Sequence, residues 1–182
     1  MALTFTPQAK IGESCPEFDL LSVEGPRFVL ADFKEKKALV VMFLCNHCPY
    51  VKAVEDRILS LARELGPNGV AFVAICANDP AENEEDSFEN LQKRWKEKKY
   101  PFPYLLDTTQ SVAKAFDAVC TPDFFVYDQN RKLAYRGRLD DNWKEAAKVT
   151  RRDLKSAIER VLNAQPPLEP QHPAMGCSIK WL

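Results

Sequence analysis

The segment from Ala38 to Leu65 constrains the fold more than any other part of the chain. It reads ALVVMFL, then CNHC, then PYVKAVEDRILSLAREL. The first run is short, continuously apolar and rich in β-branched residues, which suits a strand buried on both faces. After the cysteine pair, Val51, Val54, Ile58, Leu61 and Leu65 recur every three or four residues, the spacing of one helix face. Cys45 therefore stands where a strand ends and a helix begins. Backbone N–H groups and the helix dipole favour an anion there, so a thiol ionises more readily. Cys48, one turn on, is placed to resolve a mixed disulfide.

The 182 residues are read as a single domain, 1–182, whose last stretch, 165–182, is Pro-rich and expected to be irregular. With 46% hydrophobic residues a sizeable core can form, and 25 basic against 26 acidic residues give a net charge of −1. That balance offers no field for nucleic acid or an anionic membrane. No apolar run approaches the ~20 residues of a membrane span. The start, MALTFTPQAKIGES, lacks the pattern of a secretory signal, so a cytoplasmic location is expected. Of the six cysteines only Cys45 and Cys48 are close in sequence, which is not the pattern of a structural disulfide framework.

Around this centre the reading is α/β. Residues 1–16 form an extended arm, and 18–23 with 27–30 form an N-terminal β-hairpin turning at Glu24-Gly25-Pro26. VAFVAICA (70–77) is a second buried strand that completes a βαβ unit, with Cys76 as a small core residue. Asp86 and Glu89 resemble a cap and capping box for a helix over 87–98. A short strand over 104–106 follows, then a helix over 111–116 capped by Asp107 and Gln110. Residues 124–127 and 132–137 form a hairpin entered through Cys120-Thr121-Pro122. Thr150 with Asp153 starts a last helix striped by Leu154, Ala157, Ile158 and Val161. The apolar end Cys177, Ile179, Trp181 suggests a tail docked on the body.

Three readings compete for CNHC: a redox dithiol, half of a zinc site, and an inert pair. Zinc wants four ligands, usually from two such pairs. There is no second pair, and the other histidine, His172, lies in the tail, so no metal and no cofactor is expected. The redox reading agrees with the strand before the motif and the helix after it.

The element order, with CNHC-Pro opening the long helix and Thr-Pro before a hairpin, resembles the thioredoxin fold: a central mixed sheet flanked by helices. The N-terminal hairpin and segment 78–116 bring it nearer the peroxiredoxin-like branch, the alkyl hydroperoxide reductase/thiol-specific antioxidant superfamily. CNHCPYV, DTTQSVAKAF, AVCTPDFFVYD, YRGRLDDN and GCSIKW are similar to a bacterial group of thioredoxin-family, peroxiredoxin-like proteins. The resemblance implies that Cys45 attacks, Cys48 resolves, Pro122 is a cis-proline facing the dithiol, and Thr121 offers backbone groups to an extended substrate. Two departures stand out. Leu39 occupies the position of the buried aspartate that serves thioredoxins as proton acceptor. Aligned on Cys48, the threonine and proline of the peroxiredoxin motif are replaced by Cys45 and Val41.

The resulting expectation is a thiol–disulfide oxidoreductase acting on disulfide-containing proteins or small thiols, with an external thiol reductant. Its competitors are a hydroperoxide-reducing thiol peroxidase and a non-catalytic metal- or partner-binding module. His47, read as an imidazolium beside Cys48, is expected to stabilise the Cys45 thiolate. Cys120 and Cys177 are candidates for a third redox cysteine, while Arg136 and Arg138 read as solvent-facing strand residues.

Overall fold

The computed structural model describes residues 3–182. Its strands and helices in chain order are β1 (Leu3–Phe5), β2 (Asp19–Ser22), β3 (Arg27–Val29), β4 (Ala38–Phe43), α1 (Pro49–Leu65), β5 (Val70–Cys76), α2 (Phe88–Lys98), β6 (Tyr104–Leu106), α3 (Ser111–Ala115), β7 (Cys120–Thr121), β8 (Asp123–Tyr127), β9 (Leu133–Gly137), α4 (Asp153–Leu162) and β10 (Met175–Ser178). Seven strands form the main sheet in the order β3-β2-β6-β5-β4-β8-β9. β4 pairs in parallel with β5, and β5 with β6; β8 runs antiparallel to β4. The expected hairpin β2–β3 extends this sheet antiparallel beyond β6.

Every residue of β4 and β5 is buried, because both faces of the sheet are covered. Val40, Met42, Phe72 and Phe124 pack with Val54 and Ile58 of α1 and with Leu154 and Ile158 of α4. Leu39, Val41, Phe43, Val73 and Phe125 face the other way, toward Phe33, Val112 and Phe116. Burial of this kind is worth about 1.5–3 kcal/mol per large apolar side chain. The β4–α1 junction that carries the cysteine pair is thus mounted between two halves of the core.

The tail departs from the expectation of irregular chain. Met175–Ser178 forms β10, which lies between β1 and β7 in a second, three-stranded sheet. Its register sets Cys177 opposite Thr121 and Ser178 opposite Cys120 on one side, and Cys177 opposite Leu3 on the other. Backbone groups need partners when buried, and pairing on both edges supplies them. The end is also pinned as the apolar residues suggested. Lys180 N–H donates to Asn78 Oδ1 at 2.9 Å, Asp79 N–H donates to Lys180 O at 3.0 Å, and Gln110 Nε2 donates to Lys180 O at 2.7 Å. The first arm is likewise not all coil, since Leu3–Phe5 is β1; residues 1–2 lie outside the described residues.

Two expected helix caps have other duties. Ser87, not Asp86, is the cap of α2. Thr150 bonds Asp141 instead of opening α4, and Asp153 pairs with Arg138 at 2.6 Å.

Candidate active site

β4 ends at Phe43, and two residues later the chain reaches Cys45. Cys48 is the N-cap of α1, in extended backbone conformation (φ −69°, ψ 121°), and Pro49 occupies the first helical position. Proline suits that position because its missing N–H would have had no partner there. The helix start therefore falls on Cys48, three residues later than the sequence reading placed it. Both sulfurs are out of solvent, Cys45 at 1% exposure and Cys48 at 0%.

Across from them lies the cis peptide Thr121–Pro122. Thr121 touches both cysteines: its Oγ1 is 3.1 Å from Cys45 Sγ, and its carbonyl oxygen is 3.2 Å from Cys48 Sγ. A third sulfur completes the cluster, for Cys177 Sγ is 3.1 Å from Cys48 Sγ. All six cysteines are thiols rather than disulfides in this structure.

The electrostatics separate the two motif cysteines. Cys48 is pulled down to about 5, first by the hydrogen bond it receives from Cys45, against the cost of burial, with help from the Cys177 thiol and the backbone amides of Val51 and Cys177. Cys45 is pushed well above the ordinary thiol range by burial, by its bond to Cys48 and by the charge of Asp86. Within this pair the shifts favour negative charge on Cys48, at the helix N-terminus, whereas the sequence reading puts the thiolate on Cys45.

His47 is not a lone cation beside the dithiol. Its Nδ1 lies 2.5 Å from Oδ2 of Asp86, and both side chains are buried. Asp86 also accepts from Asn46 N–H at 2.7 Å, His47 N–H at 3.2 Å and Asn78 Nδ2 at 2.9 Å. A carboxylate accepts only, so Nδ1 carries the proton and Nε2 is the basic nitrogen. Nε2 has no hydrogen-bond partner among the described residues. A buried carboxylate nevertheless stands close to Cys45, that of Asp86 from the turn before α2. Leu39 itself packs on the opposite face of the sheet from the sulfurs.

Cys45, His47 and Asp86 offer ligand atoms within 4.8 Å of one another, the one such group among the described residues. The lone-pair directions of Asp86 are, however, already filled by four donors. The arrangement is that of a proton-sharing network that orients the CNHC turn.

A family model for Redoxin proteins matches residues 10–158. The chain belongs to the Redoxin family. An uncharacterized conserved protein from Geobacillus kaustophilus is 44% identical, with a TM-score of 0.95 over 100% of this chain and 97% of that one. A hypothetical protein from Sinorhizobium meliloti is 39% identical, with a TM-score of 0.94 over 98% of each chain. The thioredoxin domain of a thiol-disulfide oxidoreductase from Bacteroides vulgatus shares the fold at 19% identity and a TM-score of 0.60, over 71% of this chain and 89% of that one. No curated protein matches the sequence. The Redoxin chain has the thioredoxin-like architecture expected from its motifs.

Of the remaining candidates, Cys177 joins the sulfur cluster and Cys120 does not. Cys120 is fully buried in β7, next to the cluster but with no sulfur hydrogen bond among the described residues, and burial, then the charge of Asp123, pushes its thiol up. Cys76 and Cys15 are buried core thiols, both pushed up by burial. Arg136 and Arg138 are not solvent-facing. Arg136 is buried, donates to Asp123 Oδ2 at 2.8 Å and lies 4.6 Å from the ring centre of Phe125. Arg138 is half-buried against Asp153.

Proposed function

We propose that this Redoxin-family protein is a thiol–disulfide oxidoreductase cycling between a Cys45/Cys48 dithiol and a disulfide, with Cys48 as the first nucleophile. The observation that carries this reading is the placement of Cys48: it caps α1 beside Cys45, where the helix N-terminus and the Cys45 thiol both favour its thiolate form. The Cys48 thiolate attacks one sulfur of a substrate disulfide, forming a mixed disulfide and expelling a substrate thiolate. Cys45 then loses its proton, attacks Cys48 Sγ and releases the second substrate thiol. The His47 imidazole, held by Asp86, stands within 4.8 Å of Cys45 as the nearby base for that proton, and the Asp86 carboxylate supports the imidazolium so formed. An external thiol reductant returns the disulfide to the dithiol. The burial of both sulfurs favours a small disulfide substrate over a folded, globular one.

One observation favours a peroxidase as the second reading. The low-pKa cysteine is Cys48, the position that aligns with the attacking cysteine of peroxiredoxins. There Cys48 would attack a hydroperoxide oxygen, releasing an alcohol, and Cys45 would condense with the sulfenic acid, releasing water. Against it, the guanidinium groups of Arg136 and Arg138 are engaged by Asp123 and Asp153.

Turnover of a small aromatic disulfide and of an alkyl hydroperoxide, each with a dithiol reductant, tests the choice. Wild type should reduce the disulfide faster. Cys48→Ser should be inactive, and the double variant Cys45→Ser with Cys177→Ala, which removes both thiols near Cys48, should accumulate a mixed disulfide at Cys48. Faster hydroperoxide consumption, with sulfenic acid at Cys48 in that double variant, would make the protein a peroxidase.

A further inference from the structure

The edge of β7 that faces the dithiol is occupied by the chain itself. β10 pairs antiparallel with β7, with Cys177 opposite Thr121, and this places Cys177 Sγ 3.1 Å from Cys48 Sγ. The close approach is built into the sequence at Gly176, where a Cβ would overlap the carbonyl oxygen of Thr121. Downstream, Ile179 N–H donates to Val119 O at 3.0 Å, and the bonds to Lys180 hold the strand end in place. An extended peptide paired with β7 would present a cysteine to Cys48 in just this manner. Here the peptide is the protein's own tail.

We infer that Cys177 is a third redox cysteine, and that the oxidised protein interconverts a Cys45–Cys48 disulfide and a Cys48–Cys177 disulfide. The inference rests on the dithiol reading above. In the exchange, Cys177 Sγ attacks Cys48 Sγ; the Cys45–Cys48 bond breaks as the Cys48–Cys177 bond forms. The proton given up by Cys177 ends on Cys45, and no external oxidant or reductant is consumed. Closing the contact needs a movement of about 1 Å, from 3.1 Å to the ~2.05 Å of a disulfide. Cys45 and Cys177 are comparably placed as leaving groups. Burial pushes Cys177 up to about 12 and holds Cys45 well above the ordinary thiol range, so neither disulfide is strongly disfavoured on that ground. In the Cys48–Cys177 form β10 is covalently fastened over the site and Cys45 is released as a thiol.

The test uses the full chain as wild type, Cys45→Ser, Cys177→Ala and Gly176→Ala. Each is equilibrated in glutathione redox buffers, acid-quenched, alkylated and mapped without reduction. The expected result for Cys45→Ser is loss of two titratable thiols and a Cys48–Cys177 disulfide as the major oxidised species. Cys177→Ala should form only Cys45–Cys48. Gly176→Ala, which pushes β10 off β7 without removing any cysteine, should lower the Cys48–Cys177 share several-fold in favour of Cys45–Cys48. Wild type should show both pairs. If Cys45→Ser ends as a glutathione adduct on Cys48 with Cys177 still alkylatable, and wild type shows only Cys45–Cys48, the inference is overturned while the dithiol reading stands. If no variant forms a disulfide through Cys48, both are overturned. Should Cys45→Ser not fold, the wild-type and Gly176→Ala maps decide alone: a wild-type map with only Cys45–Cys48 overturns the inference.

Discussion

Asp86→Asn removes a charge and almost no volume from the network that shapes the CNHC turn. In the wild type the carboxylate accepts two backbone N–H groups through Oδ1, and His47 Nδ1 and Asn78 Nδ2 through Oδ2. An asparagine keeps the two backbone bonds with its own oxygen, now as neutral bonds. Hydrogen bonds to charged groups contribute about 1.5–3 kcal/mol and neutral ones about 0.5–1.5, so some 2 kcal/mol is lost over the pair. At the other end the new NH2 group meets two donors. His47 can answer by moving its proton to Nε2, but the amide of Asn78 cannot change its character. One buried donor is left facing a donor, at about 1–3 kcal/mol. The sum is about 3–5 kcal/mol, against the 5–15 kcal/mol that holds a typical domain. Urea unfolding of the reduced protein should show a midpoint lower by about 2 M for a slope near 2 kcal/mol/M. The same variant should make Cys45 easier to ionise, because the carboxylate that raises it is gone. A stability change under about 0.5 kcal/mol, the usual range for a neutral surface substitution, would refute the reading of Asp86 as the organiser of this turn.

Competitive alkylation across pH should give Cys48 a reactivity midpoint near 5, while Cys45 stays unreactive into the alkaline range. Because the folded value lies below that of an unfolded thiol, about 8.5, the stability of the reduced protein should rise as pH increases from about 5 to about 8.5 and be lost as pH falls through about 5. A slope that survives in Cys48→Ser would assign it to another group. Glu55→Ala should cost about 3 kcal/mol in chemical unfolding. It strips buried Glu55 from Arg94, bonded at 2.7 Å through two nitrogens, and from the Tyr100 hydroxyl. A loss below 1 kcal/mol would show that Arg94 finds full hydration instead.

Local periodicity made the central elements legible. The run 38–43 and the stripe from Val51 to Leu65 give β4 and α1 without help from the rest of the chain, and the motif between them falls where they meet. Duties set by distant partners were not legible. Asp86 sits three residues before Glu89 and just ahead of a helix, so it resembles a local cap; its actual donors, Asn46 and His47, lie about 40 residues back in the chain. Glu55 lies among the apolar positions of α1, and nothing local marks its partners Arg94 and Tyr100, which lie 39 and 45 residues further along the chain. Arg136 reads as solvent-facing by alternation, and only the pairing of β8 with β9 brings it to Asp123. β10 is four residues long, contains Gly176 and follows a Pro-rich stretch, so nothing in its composition marks a strand. Its partners β1 and β7 are shorter still, at three and two residues, and all three exist only through each other.

The redox equilibrium of the cysteine cluster in glutathione buffers, read by quantitative thiol mapping, bears most directly on the proposed chemistry. A thiolate at Cys48 stabilises the reduced form, so the protein should show one reversible two-electron transition at a potential less negative than the about −270 mV of thioredoxin, with a disulfide that always includes Cys48. Six alkylatable thiols persisting across the whole range of buffers, or a disulfide that leaves Cys48 out, would contradict it.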